Sequence, residues 1–161
     1  MQETPKVEKN FSQVIVLSVG STEEEHAGLS DIFAHSQWSL CPQSQWKLKT
    51  SRSLGAALPI LRERPVPIVL CDRDLGGASW KELLEQVAPL PDPPCVIVAS
   101  RLADEYLWAE ALNLGAYDVL AKPFETAEVL RVLSSAWLHR KHRRVVSSQR
   151  PQVQIARCGA A

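Results

Sequence analysis

No apolar run in this chain approaches the roughly 18 residues that a membrane-crossing helix needs. The first ten residues, MQETPKVEKN, lack the apolar core of a signal peptide. Both absences lead to the expectation of a cytoplasmic protein. Cysteine is scarce: Cys41, Cys71, Cys95 and Cys158 are widely spaced, and there is no C-x-x-C. That disfavours a zinc site and leaves free thiols acting as small buried hydrophobes, with Cys71 and Cys95 in predicted strands. His26, His35, His139 and His142 also lack metal-ligand spacing and read as solvated. There is no internal repeat and no low-complexity tract.

Acidic residues are absent from the end of the chain. All 18 precede position 139, whereas six of the 18 bases follow it: Arg140, Lys141, Arg143, Arg144, Arg150 and Arg157. Residues 1–138 therefore net −6 and the remainder +6. The division expected is a flexible segment over 1–12, a folded domain over 13–140 and a basic, disordered tail over 141–161. The run HRKHRRVV reads first as a solvated helix end that complements the helix dipole. Contact with nucleic acid or an acidic partner is the less favoured reading, and no recognition-helix pattern is expected among the remaining residues of this sequence.

What is present is apolar and periodic, with 45% hydrophobic residues. Val14–Leu17, Pro67–Cys71, Cys95–Ala99 and Tyr117–Ala121 are short apolar strands, and WKLKT (46–50) is a weaker one. Continuous apolar strands of this kind are buried on both faces, as in parallel sheets. Helices are predicted between them. One starts at Ser21-Thr22 with Glu23, Glu24 and Glu25 in its first turn, and Leu29, Ile32 and Phe33 follow at helical spacing. A second spans 53–64 and should be kinked or shortened by Pro59. Ser79 caps a third, WKELLEQVAPL. A fourth runs from Asp104 to Leu114 and closes at Gly115, and the last runs from Thr126 to about Arg144. Five strands alternating with five helices make an open parallel α/β sheet.

Ligand sites of such sheets lie at the carboxyl ends of the strands. Three polar residues stand there: Asp72 after VLC, Ser100 after VIVA and Lys122 after DVLA. A carboxylate, a hydroxyl and an ammonium are the groups that phosphoryl transfer to an aspartate uses, one as nucleophile and two to stabilise the equatorial oxygens. Read without chemistry, Asp72 caps a turn and Lys122 is an ion pair with Asp72 that fixes the sheet edge. Trp108, Ala111, Leu112 and Gly115 share one face of the fourth helix, which reads as core or its rim.

In three blocks, IVLCDRDLGG, VIVASR and ALNLGAYDVLAKPF, the chain resembles the receiver domains of two-component response regulators. The resemblance covers about residues 13 to 140. It implies a flavodoxin-like (βα)5 fold: a five-stranded parallel sheet in the order 2-1-3-4-5 with helices on both faces. It implies Asp72 as phosphoacceptor, Ser100 as phosphate-binding hydroxyl, Lys122 as the family's lysine and a cis Lys122-Pro123 bond. The partners implied are a histidine kinase or phosphotransfer protein upstream and a protein target downstream, with no membrane and no nucleic acid. Chemistry would be limited to self-phosphorylation and self-dephosphorylation.

The departures are specific. Family members carry two adjacent acids after the first strand, which hold Mg²⁺ together with the acceptor, and here Ser18 and Val19 stand in their place. Asp72 and Asp74 remain as metal ligands, so Mg²⁺ is expected to bind weakly or not at all. Glu23, Glu24 and Glu25 are close enough in sequence to reach back, but acids at a helix start are expected to be solvated. Arg101 replaces a small residue and is expected to screen the site or pair with Asp72. Val119 replaces an aromatic, and Gly76 and Trp80 alter the turn after the acceptor. Two functions follow: a stand-alone receiver phosphorylated on Asp72, or a pseudo-receiver that acts through protein contacts alone.

Overall fold

The computed structural model describes residues 12–20 and 22–149. The expected loose N-terminus lies outside the described residues except for Ser12. The tail from position 150, with Arg150, Arg157 and Cys158, also lies outside them.

Strands and helices alternate throughout: β1 (Ser12–Val19), α1 (Glu23–His35), β2 (Ser44–Ser51), α2 (Leu54–Glu63), β3 (Ile68–Asp72), α3 (Trp80–Val87), β4 (Cys95–Ser100), α4 (Glu105–Leu114), β5 (Asp118–Ala121) and α5 (Thr126–Ser148). The sheet order is β2-β1-β3-β4-β5 and every pairing is parallel. This is the flavodoxin-like topology expected. β3 and β4 are buried at every residue, as their unbroken apolar sequences require.

Alternate side chains of the central strands feed two cores. On one face Val14, Val16, Ile68, Leu70 and Ile97 meet Leu29 and Ile32 of α1 and Val129, Val132 and Leu133 of α5. On the other Leu17, Val19, Val69, Val96 and Val98 meet Ala57 of α2, Leu83 and Val87 of α3, and Leu107 and Ala111 of α4. With both faces covered, ligands can approach the central strands only at their ends.

Several boundaries differ from expectation for local reasons. α2 runs through Pro59. Pro59 and Gly55, four residues before it, are both exposed, so the carbonyl left without an N–H partner faces water. α3 stops at Val87, since Pro89 has no N–H to extend the ladder, and Ser79 at its N-cap makes no side-chain capping bond. α4 ends at Gly115, which has a φ of 102° that only glycine adopts without strain. Leu107 and Ala111 are the buried residues of α4, while Trp108 and Leu112 lie outside. The expected face is therefore split: Ala111 is buried together with Leu107, which that face did not include.

α5 continues to Ser148, so residues 141–148 are helical rather than part of a loose tail. The basic run explains why. Arg140 is 1% exposed and donates from Nη1 to the Pro93 carbonyl at 2.6 Å and from Nη2 to the Asp92 carbonyl at 3.3 Å. The same Nη2 lies 2.7 Å from the Asp92 carboxylate. Arg143 reaches the Pro93 carbonyl at 3.2 Å, and Arg144 donates from Nε to the Asp92 carboxylate at 3.0 Å. Three arginines thus bond to the α3–β4 connection; residues 141–149 are exposed, as a solvated end requires, and the departure from expectation is the buried Arg140. Cys41, Cys71 and Cys95 are buried free thiols, as expected.

Candidate functional site

β3 delivers Asp72 to the carboxyl edge of the sheet, opposite Ala99 of β4. β5 delivers Lys122 one residue past its end, and Lys122 N–H bonds to the Ser100 carbonyl at 3.0 Å. The three strand-end residues singled out in the sequence therefore share one rim. Asp72 and Lys122 form a direct ion pair. Both are largely withdrawn from water, with side chains 11% and 8% exposed. Ser100 is buried on the next strand, and its hydroxyl accepts the Leu102 N–H at 3.1 Å. The Lys122-Pro123 bond is cis.

A fourth residue joins them from α1. Glu25 is N3 of a capping box whose N-cap is Thr22: its Oε2 accepts the Thr22 N–H at 3.1 Å, and Thr22 Oγ1 accepts the Glu25 N–H at 3.3 Å. The same Oε2 accepts from Lys122 Nζ at 3.0 Å. The other oxygen faces Arg101 Nη2 at 3.7 Å. Arg101 thus pairs with Glu25 rather than with Asp72, and its own side chain is exposed. Glu25 is 15% exposed, contrary to the solvated role expected of a helix-start acid. Glu23 does take that role, in an exposed pair with Arg52. The only sequence signal for Glu25 was the T-x-x-E capping pattern, which fixes the start of α1 but not its partner 97 residues away.

The electrostatics follow from burial around one cation. Burial pushes the Asp72 carboxyl up and Glu25 adds to the shift. The Lys122 hydrogen bond and charge oppose it, and the net value stays above the ordinary range. Burial also pushes Glu25 up, but the bonds from Lys122 and Thr22 and the charges of Lys122 and Arg101 prevail and hold it low. His26 is half-buried on the next residue of α1, not solvated. Desolvation lowers its pKa despite the fields of Asp72 and Glu25. The Cys71 thiol beside Asp72 is pushed far up by burial and by the Asp72 charge, which leaves it inert.

Gly20 lets the backbone after β1 pass against Asp72. It has φ +86°, and a Cβ there would lie 2.4 Å from Leu75 Cδ2 and 3.3 Å from Asp72 Cβ. Outside the rim a cavity of about 630 Å³ opens between α1 and the β5–α5 connection, lined by Glu24, Glu25, Ile32, Arg101, Lys122 and Phe124.

The donor set does not fit Mg²⁺. Where the family has two acids, Ser18 and Val19 are fully buried, and Val19 belongs to the apolar core under the sheet. The two carboxylates that do meet, Asp72 and Glu25, share the Lys122 ammonium. Asp74 is exposed, and its backbone bridges to Ser79. Among the described residues no group of three or more His, Cys, Asp or Glu side chains is placed to hold a metal ion.

A parallel 2-1-3-4-5 sheet with aspartate, hydroxyl and lysine at its carboxyl rim defines the receiver class. The family model for the response regulator receiver domain matches residues 30–134, and the chain belongs to that family. Among characterised relatives it is 35% identical over 71 residues to the regulatory protein VirG of Agrobacterium fabrum, a match covering 44% of this chain and 28% of VirG. It is 31% identical over 102 residues to the transcriptional regulatory protein MalR of Bacillus subtilis, covering 63% of this chain and 42% of MalR. The chain thus spans less than half the length of these relatives. A solved signal receiver domain of an HD domain-containing protein from Pseudomonas fluorescens Pf-5 superposes with a TM-score of 0.68 at 25% identity, covering 81% of this chain and 98% of that one. A CheY-like receiver from Methanospirillum hungatei shares the fold at 16% identity and a TM-score of 0.62, covering 82% of this chain and 99% of that one. No helix among the described residues is long and apolar enough to cross a membrane.

Proposed function

We propose that this receiver relays information by protein contact, as a cytoplasmic pseudo-receiver whose Asp72 rim is held in one charge arrangement without metal-dependent phosphoryl transfer. One observation carries the reading: the Lys122 ammonium lies between the carboxylates of Asp72 and Glu25, and Ser18 and Val19 stand where the family's metal-holding acids belong. Aspartyl phosphorylation needs charge neutralisation around three phosphoryl oxygens. A single shared ammonium supplies less of it than an ammonium plus a divalent ion. The partner is a protein. Arg140, Arg143 and Arg144 each bond to the Asp92–Pro93 segment, which favours a structural role for these arginines over nucleic-acid contact.

The test is a titration with beryllofluoride, a phosphoryl mimic, in the presence of Mg²⁺, followed by tryptophan fluorescence. The expected result is no saturable change. A saturable change that disappears in Asp72→Ala overturns the reading.

The second reading is phosphoacceptance from a histidine kinase or phosphotransfer protein. It is favoured by the common rim of Asp72, Lys122 and Ser100 and by the open cavity beside it. In it the Asp72 carboxylate attacks phosphorus while Lys122 and Ser100 donate to the phosphoryl oxygens.

A further inference from the structure

The capping glutamate of α1 has two duties that the sequence pattern does not separate. One is local: a capping box satisfies two backbone groups, and glutamine serves there as well as glutamate. The other is at the site, where its Oε2 accepts from Lys122 Nζ at 3.0 Å. Lys122 has its side chain 8% exposed, and a buried ammonium without partners is strongly disfavoured. Asp72 alone provides one carboxylate and Glu25 provides the second, so the ammonium is held from two sides. Three elements meet at this one carboxylate: the start of α1 through Thr22, the end of β5 through Lys122, and the β4–α4 connection through Arg101 at 3.7 Å.

The charge count shows what this arrangement replaces. Two carboxylates around one ammonium leave a net negative charge at the rim, with Arg101 outside it. Two carboxylates with open positions for water are the oxygen donors a small divalent cation selects. Here the space between them is filled by Nζ.

We infer that Glu25 is a positioning residue that holds Lys122 against Asp72 as a resident cation, in the place a divalent ion would need. The inference rests on the pseudo-receiver reading of the same rim and adds the residue that enforces it. Removing the ammonium while keeping both acids turns the rim into a divalent-cation site. Removing Glu25 as well abolishes it.

The test uses the full chain as wild type, Lys122→Met, Glu25→Gln and the double variant. Binding of Mg²⁺ and Mn²⁺ is measured by calorimetry and by the metal-dependent rise in melting temperature. Lys122→Met should bind at least tenfold more tightly than wild type, and the double variant should lose that gain. Restoration of Lys122→Met folding by Mg²⁺, but not by sodium chloride at equal ionic strength, reads the same gain. A Lys122→Met protein no tighter than wild type, or a double variant as tight as Lys122→Met, overturns the inference.

Should Lys122→Met fail to fold with or without metal, Glu25→Gln decides. It keeps the capping box but removes the negative charge that holds Lys122 on that side, so acylation of Lys122 by an amine-reactive ester, read by peptide mass, should rise several-fold over wild type. An unchanged labelling rate overturns the inference. Phosphorylation of the wild type would sink the pseudo-receiver reading without touching these results. A missing metal gain would sink the inference and leave that reading standing.

Discussion

Replacing Arg140 with methionine should destabilise the domain more than replacing any other residue of the basic run. Its guanidinium is buried and satisfies two carbonyls and one carboxylate on the connection between α3 and β4. Hydrogen bonds to a charged group contribute about 1.5–3 kcal/mol each, and breaking a buried pair costs about 3–5 kcal/mol when it strands a charge. Two facts reduce the sum. Asp92 is 37% exposed and keeps Arg144 as a partner, so it is not stranded, and methionine retains most of the apolar packing of the arginine stem. What remains is the loss of the two bonds to the Pro93 and Asp92 carbonyls, about 3–6 kcal/mol at those values, and because the Pro93 carbonyl keeps Arg143 as a donor the net cost falls to about 2–4 kcal/mol. For a domain of this size that is a fall in melting temperature of roughly 4–16 °C. Arg144 is more than half exposed, and Arg144→Ala should cost no more than about 1 kcal/mol. Urea unfolding of both variants alongside wild type, with m-values compared, measures the difference. Equal losses for Arg140→Met and Arg144→Ala, or an Arg140→Met loss under about 0.5 kcal/mol, would refute the idea that this arginine anchors α5.

Three further outcomes are expected. Gly20→Ala places a side chain on a residue with φ +86° and against Leu75 and Asp72, so stability should fall by about 1–2 kcal/mol or more, read by thermal melting. Thr22→Ala removes the N-cap acceptor of α1 and should cost about 0.5–2 kcal/mol in urea unfolding, whereas Glu25→Gln keeps that cap and should cost less of it. Asp72→Asn should be at least as stable as wild type at neutral pH. Burial raises the Asp72 pKa in the folded state, so the ionised carboxylate opposes folding as pH rises through the interval from its unfolded value to its folded one. The advantage of the asparagine should therefore shrink as pH falls from the raised folded value towards the unfolded value of 3.8, in melts across pH. Glu25 has the opposite sign: its stabilisation is present above its unfolded value and is lost as pH falls through its lowered folded pKa.

The sheet was legible because its signal is local and one-dimensional. IVLCD and CVIVAS have no polar residue until their last position, and a strand buried on both faces admits none earlier. The Asp72–Lys122 contact was legible because strand order brings the ends of β3 and β5 to one rim and the resemblance supplied that order. What the sequence concealed lies in side chains that reach across the fold. Glu25 looks like any acid in a first turn, and its direction depends on how α1 packs beside Lys122, 97 residues away. Arg140 sits in a run of bases that reads as solvated, yet it alone lands on the buried side of α5, over carbonyls 47 and 48 residues earlier. On α4 the expected face held Ala111, which is buried, but missed Leu107: Trp108 and Leu112 lie at the rim, and only packing decides which apolar neighbours of Ala111 face the sheet.

The most direct measurement is the intact mass of the full chain after incubation with acetyl phosphate and Mg²⁺. With Lys122 bridging Asp72 and Glu25, and Ser18 and Val19 in place of an acidic pair, the mass should remain that of the unmodified protein at every Mg²⁺ concentration. A phosphorylated species that builds up with Mg²⁺ and is absent from Asp72→Ala would contradict it.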